Sequence, residues 1–113
     1  MTQRILPGAA AAVIDPAKLR DYCLDLAHPR GRHKARVFNR ALGLAQTDAE
    51  WRRAAILSAL PTTSAMADGA DRHGERWRVD LALTRGDRTA IVRTLWLIRE
   101  SGGPPRLITC FVV

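Results

Sequence analysis

Apolar positions change period once along this chain of 113 residues. Before Leu60 they recur every three to four residues, and from Trp77 onward they alternate. In the first part Leu19, Tyr22, Cys23 and Leu26 share one helical face behind Asp15-Pro16, an N-cap residue with proline at the first helical position. His28-Pro29 ends this helix, because the residue before a proline is pushed out of the α region. A second helix is expected from about Arg32 to Leu42, burying Ala35, Phe38, Ala41 and Leu42 with Val37 beside them, and Gly43 stops it. Thr47-Asp48-Ala49-Glu50 reads as a capping box. The third helix therefore starts at Asp48, turns Trp51, Ala54, Ala55, Leu57 and Leu60 inward, and ends at Pro61. Thr62 to Gly74 is rich in small and polar residues and is expected to be a surface loop. Ahead of all this, the apolar stretch Ile5 to Ile14 is broken by Pro7-Gly8. It reads as an N-terminal arm or a short strand at Ala11 to Ile14, too short to span a bilayer.

The alternating part predicts strands. Trp77, Val79, Leu81 and Leu83 point one way, and Arg76, Arg78, Asp80 and Thr84 form a wet, basic opposite face. Gly86-Asp87 turns the chain into a longer strand from Arg88 to Arg99, apolar on both faces and so central in a sheet. Ser101-Gly102-Gly103-Pro104-Pro105 makes the next turn, and Arg106 to Val113 is the last strand. The expected architecture is one α+β domain, residues 1 to 113, with N-terminal helices packed on a C-terminal antiparallel sheet of three to four strands.

Composition adds a charge. The chain carries 18 basic residues against 11 acidic ones, a net charge of +7, and nearly all its bases are arginine. The planar guanidinium fork fits phosphate oxygens in bidentate fashion. A basic domain of this kind points to a polyanionic partner, nucleic acid or an acidic protein. Cys23 and Cys110 lie far apart on apolar faces, as buried thiols in a reducing cytoplasm would.

The densest candidate chemistry is His28-Pro29-Arg30-Gly31-Arg32-His33-Lys34-Ala35, followed by Arg36. Imidazole exchanges protons near neutral pH, as general acid–base catalysis requires. Lys34 falls in the first turn of the second helix, where free N–H groups and the dipole welcome a phosphate. Arg93 is a charge in an apolar strand: either it pairs with Asp80 on the adjoining strand, or it is a cation aimed at a phosphate. Thr109 sits in the apolar run Leu107 to Phe111, as a strand former or as a hydroxyl for a site. No glycine-rich nucleotide loop, no GxSxG elbow and no zinc spacing is present, and the acidic residues are too scattered for two-metal nuclease chemistry. RNA cleavage needing neither metal nor cofactor survives, because the attacking 2′-OH belongs to the substrate.

The segments Asp15-Pro16…Lys18-Leu19-Arg20-Asp21-Tyr22, His28-Pro29…Gly31…Lys34-Ala35…Phe38…Leu42-Gly43, Val79-Asp80, Val92-Arg93-Thr94…Trp96 and Pro105-Arg106-Leu107-Ile108-Thr109 are similar to a bacterial toxin-like domain family. That family resembles the barnase/EndoU/colicin/RelE-like ribonuclease superfamily, and the likeness covers nearly the whole chain. It implies helices packed on a four-stranded antiparallel sheet and products ending in a 2′,3′-cyclic phosphate. It also implies His28, Lys34, Arg93 and Thr109 as catalytic groups. The chain departs from the pattern at its end, where Cys110-Phe111-Val112-Val113 keeps the aromatic residue but lacks a proline. Beginning at Met1 without a secretion region, it is expected to be a free-standing cytoplasmic toxin with an acidic antitoxin or immunity partner and no membrane attachment. In that expectation His28 is the proton carrier, with His33 as its alternative. Arg30, Arg32, His33, Arg36, Arg78 and Arg106 would bind RNA. A non-catalytic basic RNA-binding or immunity-type adaptor is the rival expectation, and it predicts salt-sensitive binding without turnover.

Overall fold

The computed structural model describes residues 4–15, 32–43 and 48–113, so the helix expected after Asp15-Pro16 lies outside the described residues. Among the described residues two α-helices, α1 (Arg32–Leu42) and α2 (Ala49–Ala59), precede four strands: β1 (Ala65–Asp71), β2 (Gly74–Arg85), β3 (Arg88–Arg99) and β4 (Arg106–Val112). The strands form one antiparallel meander in the order β1-β2-β3-β4. The domain is thus α+β.

Alternation builds the sheet. Trp77, Val79, Leu81 and Leu83 of β2 are buried, and the register sets Trp96, Thr94 and Val92 of β3 opposite the first three. On β4 Leu107 and Cys110 are both buried, although three positions apart they belong to opposite faces of a regular strand. A bulge resolves this: Thr109 pairs with Leu95 but Leu107 with Trp96, leaving Ile108 as the extra residue. Thr94 is the polar residue of this inner face. Its hydroxyl donates to the Val79 carbonyl at 2.7 Å and accepts the Trp96 indole N–H at 2.8 Å, which leaves both buried donors satisfied.

The described helices lie on the inner face. α1 has the expected limits and stops at Gly43, whose φ of 68° suits glycine. Its Leu42 is buried and Ala41 partly so, whereas Val37 is exposed. The structure corrects the expectation for α2. The residues that turn inward are Ala49, Arg52 and Ile56, continued by Leu60. Trp51, Ala55 and Leu57 flank them half-buried, and Ala54 is exposed. Reading the stripe from apolar residues alone rotated the helix, because Arg52 is one of its buried positions. Asp48 makes no side-chain cap either. Its carboxylate instead takes Arg85 at 3.0 and 3.2 Å, and Arg85 also donates to the Gly43 carbonyl at 3.0 Å and lies 5.3 Å from the Trp51 ring centre. One guanidinium thereby ties the β2–β3 turn to both helices.

The second correction concerns Thr62 to Gly74, which contains β1 rather than only loop. Apart from Ala65 its side chains are exposed, and it holds to β2 by backbone pairing as an edge strand with an irregularity between Ala67 and Ala70. The N-terminal arm covers part of the sheet margins. Ile5 bridges Ser64, Val13 bridges Arg106 in parallel, and Leu6, Ala9 and Ile14 are buried around a 3₁₀ turn at Ala9–Ala11. The short strand expected at Ala11 to Ile14 reduces to that single bridge at Val13. No described helix is long and apolar enough to cross a membrane.

Candidate nucleic-acid interface

The outer sheet face carries the charges that alternation excludes from the core. Its side chains fall in rows set by the register: Asp80, Arg93 and Phe111; Met66, Arg78, Leu95 and Thr109; Arg76, Leu97 and Arg106. Neighbouring strands stand about 4.8 Å apart and diagonal neighbours about 7–8 Å. Arg93 and Thr109 are such a diagonal pair, so one phosphate-sized group can touch both side chains.

Arg93 is half-buried and bound side-on by Asp80. Its Nε donates to one carboxylate oxygen at 2.9 Å and Nη2 to the other at 3.1 Å. The hydrogen bond from Arg93 holds the Asp80 carboxyl below the usual carboxylate range, and the same bond raises Arg93 further above its ordinary value. The ion pair expected as one alternative is therefore present. It engages one edge of the guanidinium, and a guanidinium has five N–H donors. Arg78 is half-buried and reaches Met66 Sδ at 2.9 Å, and Arg106 is exposed at the start of β4. Thr109 is half-buried.

Of the remaining predicted site residues, His28 and Arg30 lie outside the described residues. Arg32, His33 and Lys34 form the first turn of α1, and it is their backbone that the structure places; Arg36, on the next turn, is exposed. The structure thus unites Arg93, Thr109, Arg78 and Arg106 on one face. α1 is anchored by Leu42 to the other.

Sequence reasoning gave no role to His73, which lies with Arg72 at the tip of the β1–β2 hairpin. Asp71 accepts the His73 backbone N–H at 2.8 Å and Arg76 Nη2 at 3.0 Å; these bonds, the backbone one first, hold its carboxyl below the usual range. Aspartate at the first position and glycine at the fourth, Asp71 and Gly74, are the signature of this tight turn, and they were the signal available in the sequence. Arg72 and His73 line a cleft of about 540 Å³ with Leu97, Arg99, Glu100 and Ser101.

A four-stranded meander with helices on one face and an arginine-bearing other face defines a small basic α+β domain. The chain belongs to the family described as "Domain of unknown function (DUF6883)", whose profile matches residues 5–113. No curated protein and no solved structure is similar to it at a significant level.

Proposed function

We propose that this domain is a metal-independent endoribonuclease of the toxin type, related in fold and chemistry to the barnase/EndoU/colicin/RelE-like superfamily and restrained by an acidic antitoxin. The observation that carries the reading is the diagonal placement of Arg93 and Thr109 on one outer sheet face, with Arg78 and Arg106 beside them. In this reading His28 serves as general base toward the 2′-OH or as general acid toward the leaving 5′-oxygen. Arg93 stabilises the charge of the pentavalent phosphorane and Thr109 orients a non-bridging oxygen, whereas Lys34, on the helix anchored to the opposite face, takes no part in this step. Arg30, Arg32, His33, Arg36, Arg78 and Arg106 draw in the RNA backbone by charge, and the net charge of +7 also suits an acidic protein partner.

A second reading draws on Asp80. A guanidinium already neutralised by a bidentate carboxylate is a weaker stabiliser of new negative charge, which favours a non-catalytic RNA-binding module. The deciding experiment is incubation of the purified protein with total tRNA and mRNA in EDTA, beside His28→Ala, Arg93→Ala and, as the control, Lys34→Ala. Discrete fragments ending in cyclic phosphate are expected, with rates lowered about 10²–10³-fold where one charge-stabilising donor is removed. Intact RNA together with salt-sensitive binding overturns the nuclease in favour of the adaptor.

A further inference from the structure

We infer that the cleft between the β1–β2 hairpin tip and the β3–β4 turn is a phosphate-binding subsite for single-stranded RNA. The inference rests on the RNA reading above and gives that face a second anchoring point. Arg72 and His73 enter the cleft from one turn, and Arg99, Glu100 and Ser101 from the other, over Leu97 of β3. Arg72 Nε lies 3.4 Å from His73 Nε2, so the ring nitrogen facing Arg72 acts as an acceptor and the imidazole is packed against the guanidinium. Two guanidiniums, an imidazole and a hydroxyl around one concavity match the oxygens of a phosphodiester, against which stands the single Glu100 carboxylate of the lining.

The cleft is also continuous with the rest of the outer face. Leu97 is paired with Arg76 on one side and Arg106 on the other, so four arginines border the same short length of β3. Leu97 and Arg93 are four residues apart on one strand, about 13 Å at 3.3 Å per residue. A nucleic-acid strand laid along β3 would meet Arg93 and Thr109 first and the cleft next, with the apolar Leu95 and Leu97 beneath its bases. A positively charged groove that follows the backbone is a shared feature of proteins that hold single strands without readout of base edges.

The test uses a labelled 2′-O-methyl oligoribonucleotide, which cannot be cleaved, and fluorescence anisotropy at several salt concentrations. The Arg72→Gln/Arg99→Gln variant is expected to bind at least tenfold more weakly. Its salt dependence should be shallower by about 1.4 in the log–log slope, at roughly 0.7 per lost phosphate contact on a single strand. Arg88→Gln, a charge loss at the far end of β3, is the control and should bind within about twofold of the parent. Thermal melting of both variants shows whether the fold is kept. Equal binding by the double variant, an equal loss in Arg88→Gln, or no binding by the parent overturns the subsite. A parent that prefers polyglutamate to the oligonucleotide overturns it in favour of an acidic protein. Because the probe cannot react, retained binding without cleavage of ordinary RNA rejects the nuclease and leaves the subsite standing. Cleavage with unchanged binding in the double variant rejects only the subsite.

Discussion

Asp80 and Arg93 stand at facing positions of β2 and β3, and the uncharged Phe111 of β4 completes their row. Their pairing has a measurable consequence in acid. The Asp80 carboxyl is held below the ordinary range, chiefly by the Arg93 hydrogen bond. A carboxyl whose folded-state value is depressed stabilises the fold above the unfolded value, near pH 4, and loses that contribution as pH falls through the folded value. Asp80→Asn removes the group. The stability gap between parent and variant, read by urea denaturation, should be constant from pH 7 down to about 5 and should close below about 4. A gap independent of pH would show that the carboxylate draws nothing from Arg93. The mirror partner adds no such dependence, because arginine stays charged throughout this range.

At the scale of elements, Gly74 decides whether β1 can join the sheet. Its φ of 135° is a region that residues with a side chain rarely adopt, and a Cβ there would collide with the carbonyl oxygen of Ile98 and come within 2.7 Å of Arg99 Cα. Both obstacles are backbone of the neighbouring strand, so neither can rotate away. Gly74→Ala should cost about 2–5 kcal/mol, from strain plus overpacking, against about 1 kcal/mol for Gly86→Ala, whose surroundings are open but whose φ of 62° is left-handed. Equal melting temperatures for the two variants would contradict this account. The same element marks where sequence reading failed. The limits of strand β3 and helix α1 were legible because an apolar run and a helical period were each bounded by a glycine turn or stop. β1, with the sequence Ala-Met-Ala-Asp-Gly-Ala-Asp, has no such alternation, and backbone pairing alone recruits it. The face of α2 was misplaced for a related reason: hydropathy excludes an arginine from a core, and Arg52 is in it. The Arg93–Asp80 pair was legible as one of two alternatives for a charge set in an apolar strand beside a strand with a charged face. The cleft at His73 was not, because residues 72–73 and 99–101 meet only once the hairpin register is known.

For the whole molecule the question is what an excess of seven positive charges does to a fold of this size. Two electrostatic terms oppose each other. Short ion pairs hold the domain together locally: Arg93 with Asp80 at 2.9 Å, Arg85 with Asp48 at 3.0 Å and Arg76 with Asp71 at 3.0 Å. The surplus arginines repel one another over longer distances. Salt separates these terms by range, since the screening length is about 10 Å at 0.1 M and about 8 Å at 0.15 M. Contacts near 3 Å lie well inside it, and two of the three pairs are partly shielded from solvent, with side-chain exposures of 24–36%. Repulsion between arginines on different strands and turns lies at or beyond it. Self-repulsion of a strongly charged domain disfavours the compact state, and screening relieves it. Raising NaCl from 50 to 300 mM should therefore increase the melting temperature by a few degrees, the equivalent of about 0.5–1 kcal/mol for a domain of about 100 residues. Over the same range the affinity for RNA should fall, because released counterions drive that binding. Opposite signs in the two titrations would locate the surplus charge on a surface kept for a polyanion at the fold's expense. A melting temperature that falls with salt would mean that the short pairs dominate and that the arginines serve the fold.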